Sequence, residues 1–264
     1  MAAALRLLGA DVARAPSGAP DGGPVWTIDG VGVQGFREPD AVLDMGNSGT
    51  AARLLAGAIA GADIFACMTG DASLRSRPMA RVTGPLGRMG ASFMTRAGGQ
   101  LPMAIRGAVD ARALDYASPV ASAQVKSAIL LAGLAAAGVT RVTEPVMSRD
   151  HTERLLIRLG AEVVTGPAPA GAASPPLDDP ARGSRARGWG RVEFGRPAGS
   201  GGGSGWPGRP ARARLDLAGH DEALVANAAK GYAGIAQRDR IVSALISALI
   251  NALARPDPAP SPSG

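Results

Sequence analysis

The chain has 264 residues, 46% of them apolar, which is enough for one large domain or two modest ones with a sizeable core, and excludes a small disulfide-stapled module or a coiled coil. A single cysteine, Cys67, excludes a disulfide framework or multi-cysteine zinc site, and two histidines, His151 and His220, leave little for a metal centre, so a reducing compartment and no metal are expected. The 28 basic residues exceed the 22 acidic ones, yet only Lys126 and Lys230 are lysines; an arginine excess with heavy Ala, Gly and Pro is what GC-rich coding produces, and 3% aromatic residues leave few rings for base stacking.

In chain order, the first signal is a repeat. Leu5 to Val12 reads LRLLGADV, Leu86 to Phe93 reads LGRMGASF and Leu156 to Val163 reads LIRLGAEV, with central glycines Gly9, Gly90 and Gly160 spaced 81 and 70 residues apart. Each copy reads as the end of an apolar-striped helix, a glycine just past it, and a strand start. The first copy begins inside its helix at residue 1, where a natural chain is not expected to start. Between the first two copies lie strand-like stretches at Val25 to Ile28 and Ala41 to Asp44 and a helix pattern from Thr50 to Ala60. Between the second and third lie a strand at Leu101 to Arg106, a helix from Ala123 to Ala137 and a strand from Val139 to Glu144. Helices and strands alternating with a long period predict an α/β architecture of repeated units sharing one core.

Composition breaks near Val164. From Gly166 to Pro210 there are 12 Gly and 8 Pro, with Leu177, Val192 and Phe194 the only large aliphatics or phenylalanines, so this stretch is expected to be disordered. Beyond it, Ile241, Val242, Leu245, Ile246, Leu249, Ile250 and Leu253 recur at helical spacing and Pro256 closes the pattern, predicting one amphipathic helix. The organisation is therefore a folded 1–164, a linker-like 165–210 and a tail 211–264. The longest apolar run, Ile129 to Val139, is too short for a membrane span, and Met1 to Ala10 lacks the charged start and long apolar segment of a signal peptide; a cytoplasmic monomer without membrane or nucleic-acid partners is expected.

Four segments carry candidate chemistry. Asn47-Ser48-Gly49-Thr50 opens an apolar helix with Arg53 one turn in; it reads either as a helix cap with glycine in a tight turn or as an anion site of free N–H groups and a guanidinium. Arg75-Ser76-Arg77-Pro78-Met79-Ala80-Arg81 is either a basic surface loop or an anion clamp, with Pro78 suited to the first helical position. Ser122-Ala123-Gln124-Val125-Lys126-Ser127 is a second helix start, where Ser122 suits a cap and the Ser, Gln and Lys together suit an anion and hydroxyl surface. In Ser148-Arg149-Asp150-His151-Thr152-Glu153, Asp150 and Glu153 fit a capping box, Arg149 is a surface charge or a ligand clamp, and His151 is a helix-start residue rather than a general base. Three such helix starts and an arginine loop in one repeated α/β unit favour a small multi-anionic ligand.

These segments, with Gly70-Asp71-Ala72-Ser73 preceding Arg77-Pro78-Met79 and Ala121 preceding Ser122, resemble in order and spacing the 5-enolpyruvylshikimate-3-phosphate synthase family. The resemblance covers about Met1 to Val164. It implies βαβαββ units forming most of one of two similar domains, and transfer of the enolpyruvyl group of phosphoenolpyruvate to the 5-hydroxyl of shikimate 3-phosphate without metal or organic cofactor. It further implies that Ser122, Gln124 and Arg149 bind shikimate 3-phosphate with Arg53 in the same cleft, that Arg77 grips phosphoenolpyruvate, that Gln124 reaches towards both, and that Gly49 is the small residue beside phosphoenolpyruvate where glyphosate competes. The related UDP-N-acetylglucosamine enolpyruvyl transferases resemble the chain in fold, but usually carry a reactive cysteine shortly before their Arg-Pro pair, whereas Cys67 lies ten residues before Arg77. The family's Lys-Ser segment is expected upstream of Met1, and its second domain, with the acid–base Asp and a Lys-Glu pair, has no counterpart after Val164. The tail reads as GC-rich sequence out of frame. The chain alone is accordingly expected to be inactive, and the alternative is a non-catalytic remnant that binds shikimate 3-phosphate weakly or not at all.

Overall fold

Glycine punctuation sets the frame. Gly9 and Gly90 both adopt left-handed backbone, with φ of +98° and +112°, where a side chain would be strained. Each stops a helix and releases the chain into a strand: α1 (Ala2–Leu7) into β1 (Asp11–Ala15), and α4 (Ala80–Arg88) into β5 (Ser92–Arg96). The computed structural model describes residues 1–15, 25–32, 35–158, 161, 163–167, 190–195 and 213–215. Gly160, the third repeat glycine, lies outside them, but the third copy follows the same plan, with α6 (His151–Arg158) leading to β9 (Val163–Pro167).

The repeat is one topology used twice in full. The first complete unit runs β3 (Leu43–Asp44), α2 (Gly49–Ala60), β4 (Phe65–Thr69), the short α3 (Ala72–Arg75) and α4, β5, β6 (Gln100–Arg106). Its sheet order is β3-β4-β6-β5, with β3 and β4 parallel and the rest antiparallel. The second runs β7 (Asp115–Ala117), α5 (Ala123–Gly133), β8 (Val139–Glu144), α6, β9, β10 (Gly190–Gly195), in the order β7-β8-β10-β9 and with the same directions. Both are βαβαββ units. A third sheet holds β1, β2 (Val25–Asp29) and β11 (Ala213–Leu215), following α1.

The core lies between these layers, with α2 and α5 packed among buried residues of the other elements such as Leu5, Met68, Leu86 and Ile105. Ten of the twelve residues of α2 are buried, and α5 buries everything from Val125 to Gly133. Helices apolar nearly all round belong inside a domain, and these two are rich in Ala and Gly because their backbones nearly touch. A Cβ on Gly57 would lie 2.3 Å from the carbonyl oxygen of Ala128, and one on Gly61 would lie 3.0 Å from that of Ala132. One turn earlier, Arg53 meets Gln124. The contacts step by four residues on both helices, so α2 and α5 run parallel and in register.

Four details differ from the sequence reading. Helix α5 ends at Gly133 rather than Ala137, and Leu134, Ala135 and Ala136 continue it with tighter bonds to carbonyls three residues back. Pro78 does not open a helix, since Met79 is the N-cap of α4. Strands β4 and β7 carry weak patterns and are found only in the fold. Within the segment expected to lack structure, Gly190–Gly195 forms β10, antiparallel to both β8 and β9; Val192 and Phe194 alternate there with Arg191 and Glu193, the period-two pattern of a strand. Gly166 and Pro167 of that segment end β9, and its remaining residues and the helix expected from Ile241 to Leu253 lie outside the described residues.

The backbone contact makes a sharp contrast testable. Gly57→Ala should destabilise the chain by about 2 to 3 kcal/mol, because overpacking against backbone leaves nothing to rotate away. Gly87→Ala, in α4 with nothing within 4 Å of its Cβ position, should instead stabilise it by about 0.5 to 1 kcal/mol. Urea denaturation midpoints of the two variants check both signs.

Candidate functional site

The site forms where the first turns of α2 and α5 lie side by side. Ser48 caps α2, its Oγ accepting from the Ala51 N–H at 3.1 Å, and Ser122 caps α5, its Oγ accepting from the Val125 N–H at 3.5 Å. The capping readings therefore hold, and they place the candidate residues: capping fixes where each helix starts, and with it the direction of Arg53 and Gln124. Arg53 Nη1 donates to the Gly49 carbonyl at 3.2 Å and to Gln124 Oε1 at 3.0 Å, while Gln124 Nε2 donates to Thr50 Oγ1 at 2.7 Å. Both ends of the Gln124 amide are thus held by α2, which fixes its orientation.

Gly49 lets two cations converge. A Cβ there would sit 2.7 Å from Arg53 Nη1 and 3.1 Å from Arg77 Nη1. Burial lowers the pKa of the Arg53 guanidinium from its ordinary value, and repulsion from Arg77 and Arg81 adds to the effect. Like charges gathered in this way are relieved by an anion between them. Arg77 is held by a relay: its Nη2 donates to Asn47 Oδ1 and Ser73 Oγ, each at 3.2 Å, and Asn47 Nδ2 donates to Asp71 Oδ2 at 2.6 Å. Asp71 also caps α3, accepting from the Leu74 N–H at 2.7 Å; that bond above all, then the one from Asn47, holds its carboxyl below the usual carboxylate range. Arg75 turns away and donates to the Gly70 carbonyl.

A pocket lined by Thr50, Leu54, Gln124, Ser127, Arg149 and His151 opens between α2, α5 and the start of α6. Of the six candidates, Gln124 and Arg149 line this pocket; Arg53 bonds Gln124, a Cβ on Gly49 would meet both Arg53 and Arg77, and Ser122 caps α5 two residues before Gln124. Asn47, Thr50 and Asp71 belong to the same network and were not singled out from the sequence by role. Asn47 and Thr50 flank Gly49 in a segment already marked, but side-chain hydrogen bonds that link positions 24 to 74 residues apart leave no local signal.

Two readings of this region need correction. Lys126 is not part of an anion-binding surface: it is 2% exposed, with Nζ 3.0 Å from Glu144 Oε2 and 2.7 Å from Glu153 Oε1. Glu153 does not form a capping box, because its carboxylate is buried against that ammonium. Burial raises the Glu153 pKa above the ordinary value and outweighs the pull of Lys126; the two carboxylates outweigh burial at Lys126 and raise its pKa. Ser127 Oγ and Thr152 Oγ1, 2.6 Å apart, complete the polar contact of α5 with α6.

Among the described residues no helix is long and apolar enough to cross a membrane, and no cluster of His, Cys, Asp and Glu is arranged to hold a metal ion. The model of the family described as EPSP synthase (3-phosphoshikimate 1-carboxyvinyltransferase) matches residues 1–173. Curated relatives called 3-phosphoshikimate 1-carboxyvinyltransferase include that of Acidiphilium cryptum, 59% identical over 162 residues, which are 61% of this chain and 35% of the relative. That of Granulibacter bethesdensis is 58% identical over 171 residues, 65% of this chain and 36% of the relative. A solved EPSP synthase from Acinetobacter baumannii is similar with a TM-score of 0.58 and 39% identity, covering 73% of this chain and 37% of that one. The chain thus spans little more than a third of the length of the relatives it matches.

The buried ammonium has a measurable consequence. Lys126→Met leaves the Glu144 and Glu153 carboxylates buried without their cation, and should cost about 3 to 5 kcal/mol at neutral pH. Burial already raises the Glu153 pKa, and without Lys126 the charge that opposes the rise is gone, so the deficit should be smallest below the carboxylate range and grow as pH rises through the raised Glu153 value. In the unaltered chain the raised pKa of Lys126 gives a contribution complete below the ordinary lysine value and lost as pH rises through the raised one. Urea midpoints of both proteins across acid, neutral and alkaline pH check these slopes.

Proposed function

The chain belongs to the EPSP synthase family, and on that premise we propose that it carries one half of a 3-phosphoshikimate 1-carboxyvinyltransferase cleft and binds shikimate 3-phosphate without turning it over. The observation that carries this reading is the convergence of Arg53 and Arg77 about Gly49, with Arg53 tied to Gln124 across the two helix starts. Shikimate 3-phosphate and phosphoenolpyruvate each bring a phosphate and a carboxylate, and bringing them together requires cations on several sides. Arg149, Ser122 and Gln124 hold shikimate 3-phosphate with Arg53 beneath it. Arg77 holds phosphoenolpyruvate against the Gly49 backbone, where a side chain would push the guanidinium groups apart.

The family reaction adds the 5-hydroxyl of shikimate 3-phosphate to phosphoenolpyruvate and expels phosphate. It requires a proton delivered to the phosphoenolpyruvate methylene and one removed from the hydroxyl, and positioned acid–base groups contribute about 100- to 10,000-fold each. The cleft supplies guanidinium, amide and hydroxyl groups that bind and orient. Closure of a second domain excludes water in such a site, and this chain matches little more than a third of its relatives.

Isothermal titration with shikimate 3-phosphate tests the binding. Arg149→Ala and Gln124→Ala should each weaken it by about 1.5 to 3 kcal/mol, the worth of a hydrogen bond to a charged group, while Arg187→Ala in the linker-like segment should leave it unchanged. Equal losses from all three variants would mean nonspecific charge attraction. A coupled assay for released phosphate tests the other half of the proposal. No turnover at an enzymatic rate is expected, and turnover abolished by Arg77→Ala would show that the chain supplies a complete site.

A further inference from the structure

Glu144, the last residue of β8, is 2% exposed and surrounded by donors. Its Oε1 accepts from the Ser122 N–H at 2.8 Å and from Ser148 Oγ at 2.9 Å; its Oε2 lies 2.7 Å from the same hydroxyl, 3.4 Å from the Ser148 N–H and 3.0 Å from Lys126 Nζ. These donors sit on the two segments that carry the polar side chains of the cleft. Ser122 opens α5 two residues before Gln124, and Ser148 immediately precedes Arg149.

We propose that Glu144 is the positioning residue of the cleft, a buried carboxylate that ties the start of α5 to the segment before α6 and so sets the separation of Gln124 and Arg149. Lys126 and Glu153 anchor it from below, since Lys126 Nζ is shared between the two carboxylates. Only a carboxylate suits the place. Each partner donates a hydrogen bond, and a carboxylate is acceptor-only, with room for about four donors on two oxygens. The isosteric amide would turn an NH2 group towards an ammonium or a backbone N–H, donor against donor. The Ser148 segment would then lose its anchor and Arg149 its place.

The test compares the full chain with Glu144→Gln and with Leu5→Ala, a core truncation in α1, a helix that contributes nothing to the cleft. Amide hydrogen exchange by NMR reads the anchor, and titration with shikimate 3-phosphate reads its effect on the cleft; the second measurement rests on the function proposed above, the first does not. In Glu144→Gln the Ser122 and Ser148 amides should exchange at least about tenfold faster than in Leu5→Ala at matched overall stability, because a local opening has replaced a bonded state. Shikimate 3-phosphate should bind at least about tenfold more weakly to Glu144→Gln, since a displacement near 1 Å costs up to about 100-fold, and within about twofold of normal to Leu5→Ala. If Glu144→Gln does not fold, Ser148→Ala, which removes the hydroxyl and no charge, is read for exchange at position 148 and for the same loss of affinity. If the full chain binds no shikimate 3-phosphate, the functional reading fails and the exchange rates alone decide the positioning role. Exchange no faster than in Leu5→Ala, or faster exchange with undiminished affinity, overturns the proposal.

Discussion

One buried ammonium organises the polar half of this protein. Lys126 comes from the first turn of α5, and its two carboxylates come from the end of β8 and the start of α6. A charge so far from water is tolerated only when opposite charges and hydrogen bonds surround it. The ions therefore act less as a source of stability than as a requirement on shape: the three elements must meet at this point or leave an uncompensated charge. Two carboxylates around one ammonium also leave an excess of negative charge when both ionise. The structure divides the burden unequally, since Glu144 is satisfied by four donors while Glu153 has only the ammonium and a raised pKa.

Above this internal pair, the cleft gathers charge of the other sign. Burial first, and then repulsion from Arg77 and Arg81, lowers the proton affinity of Arg53. What keeps Arg53 and Arg77 in place is a set of neutral and anionic acceptors behind them: the Gly49 carbonyl, Gln124, Asn47 and, through Asn47, Asp71. The cations are thus held by acceptors placed behind them, an arrangement that suits the phosphate and carboxylate groups of the substrates proposed above.

Much of the fold was legible because glycine and apolar spacing are local signals. Gly9 and Gly90 marked helix ends with the left-handed backbone they adopt, and the 81- and 70-residue spacings anticipated units of one topology. The candidate residues were marked through their motifs, and the structure brings Arg53 against Gln124 and puts Gln124 and Arg149 on one pocket. Lys126 and Glu153 were misread for a shared reason. Each looks like a surface residue in its own segment, and what buries them is a partner 27 residues away in the chain, which no periodicity displays. The same limit hid Asp71 behind Asn47 and left Glu144 as an unremarked strand end. In β10, a sparse apolar pair in a Gly- and Pro-rich context was outweighed by composition, although two neighbouring strands were waiting to pair with it.

The register of α2 against α5 acts as a ruler. The helix pair is fixed by backbone lying against backbone at Gly57 and Gly61, contacts that have no rotamers to adjust. The gap between Arg53 and Gln124 is therefore quantised: sequence change can shift it by a helical step or not at all, whereas side chains at the rim can vary continuously. Selection among the anionic ligands proposed above would then fall to side chains at the rim, while the floor of the cleft is held by backbone contacts.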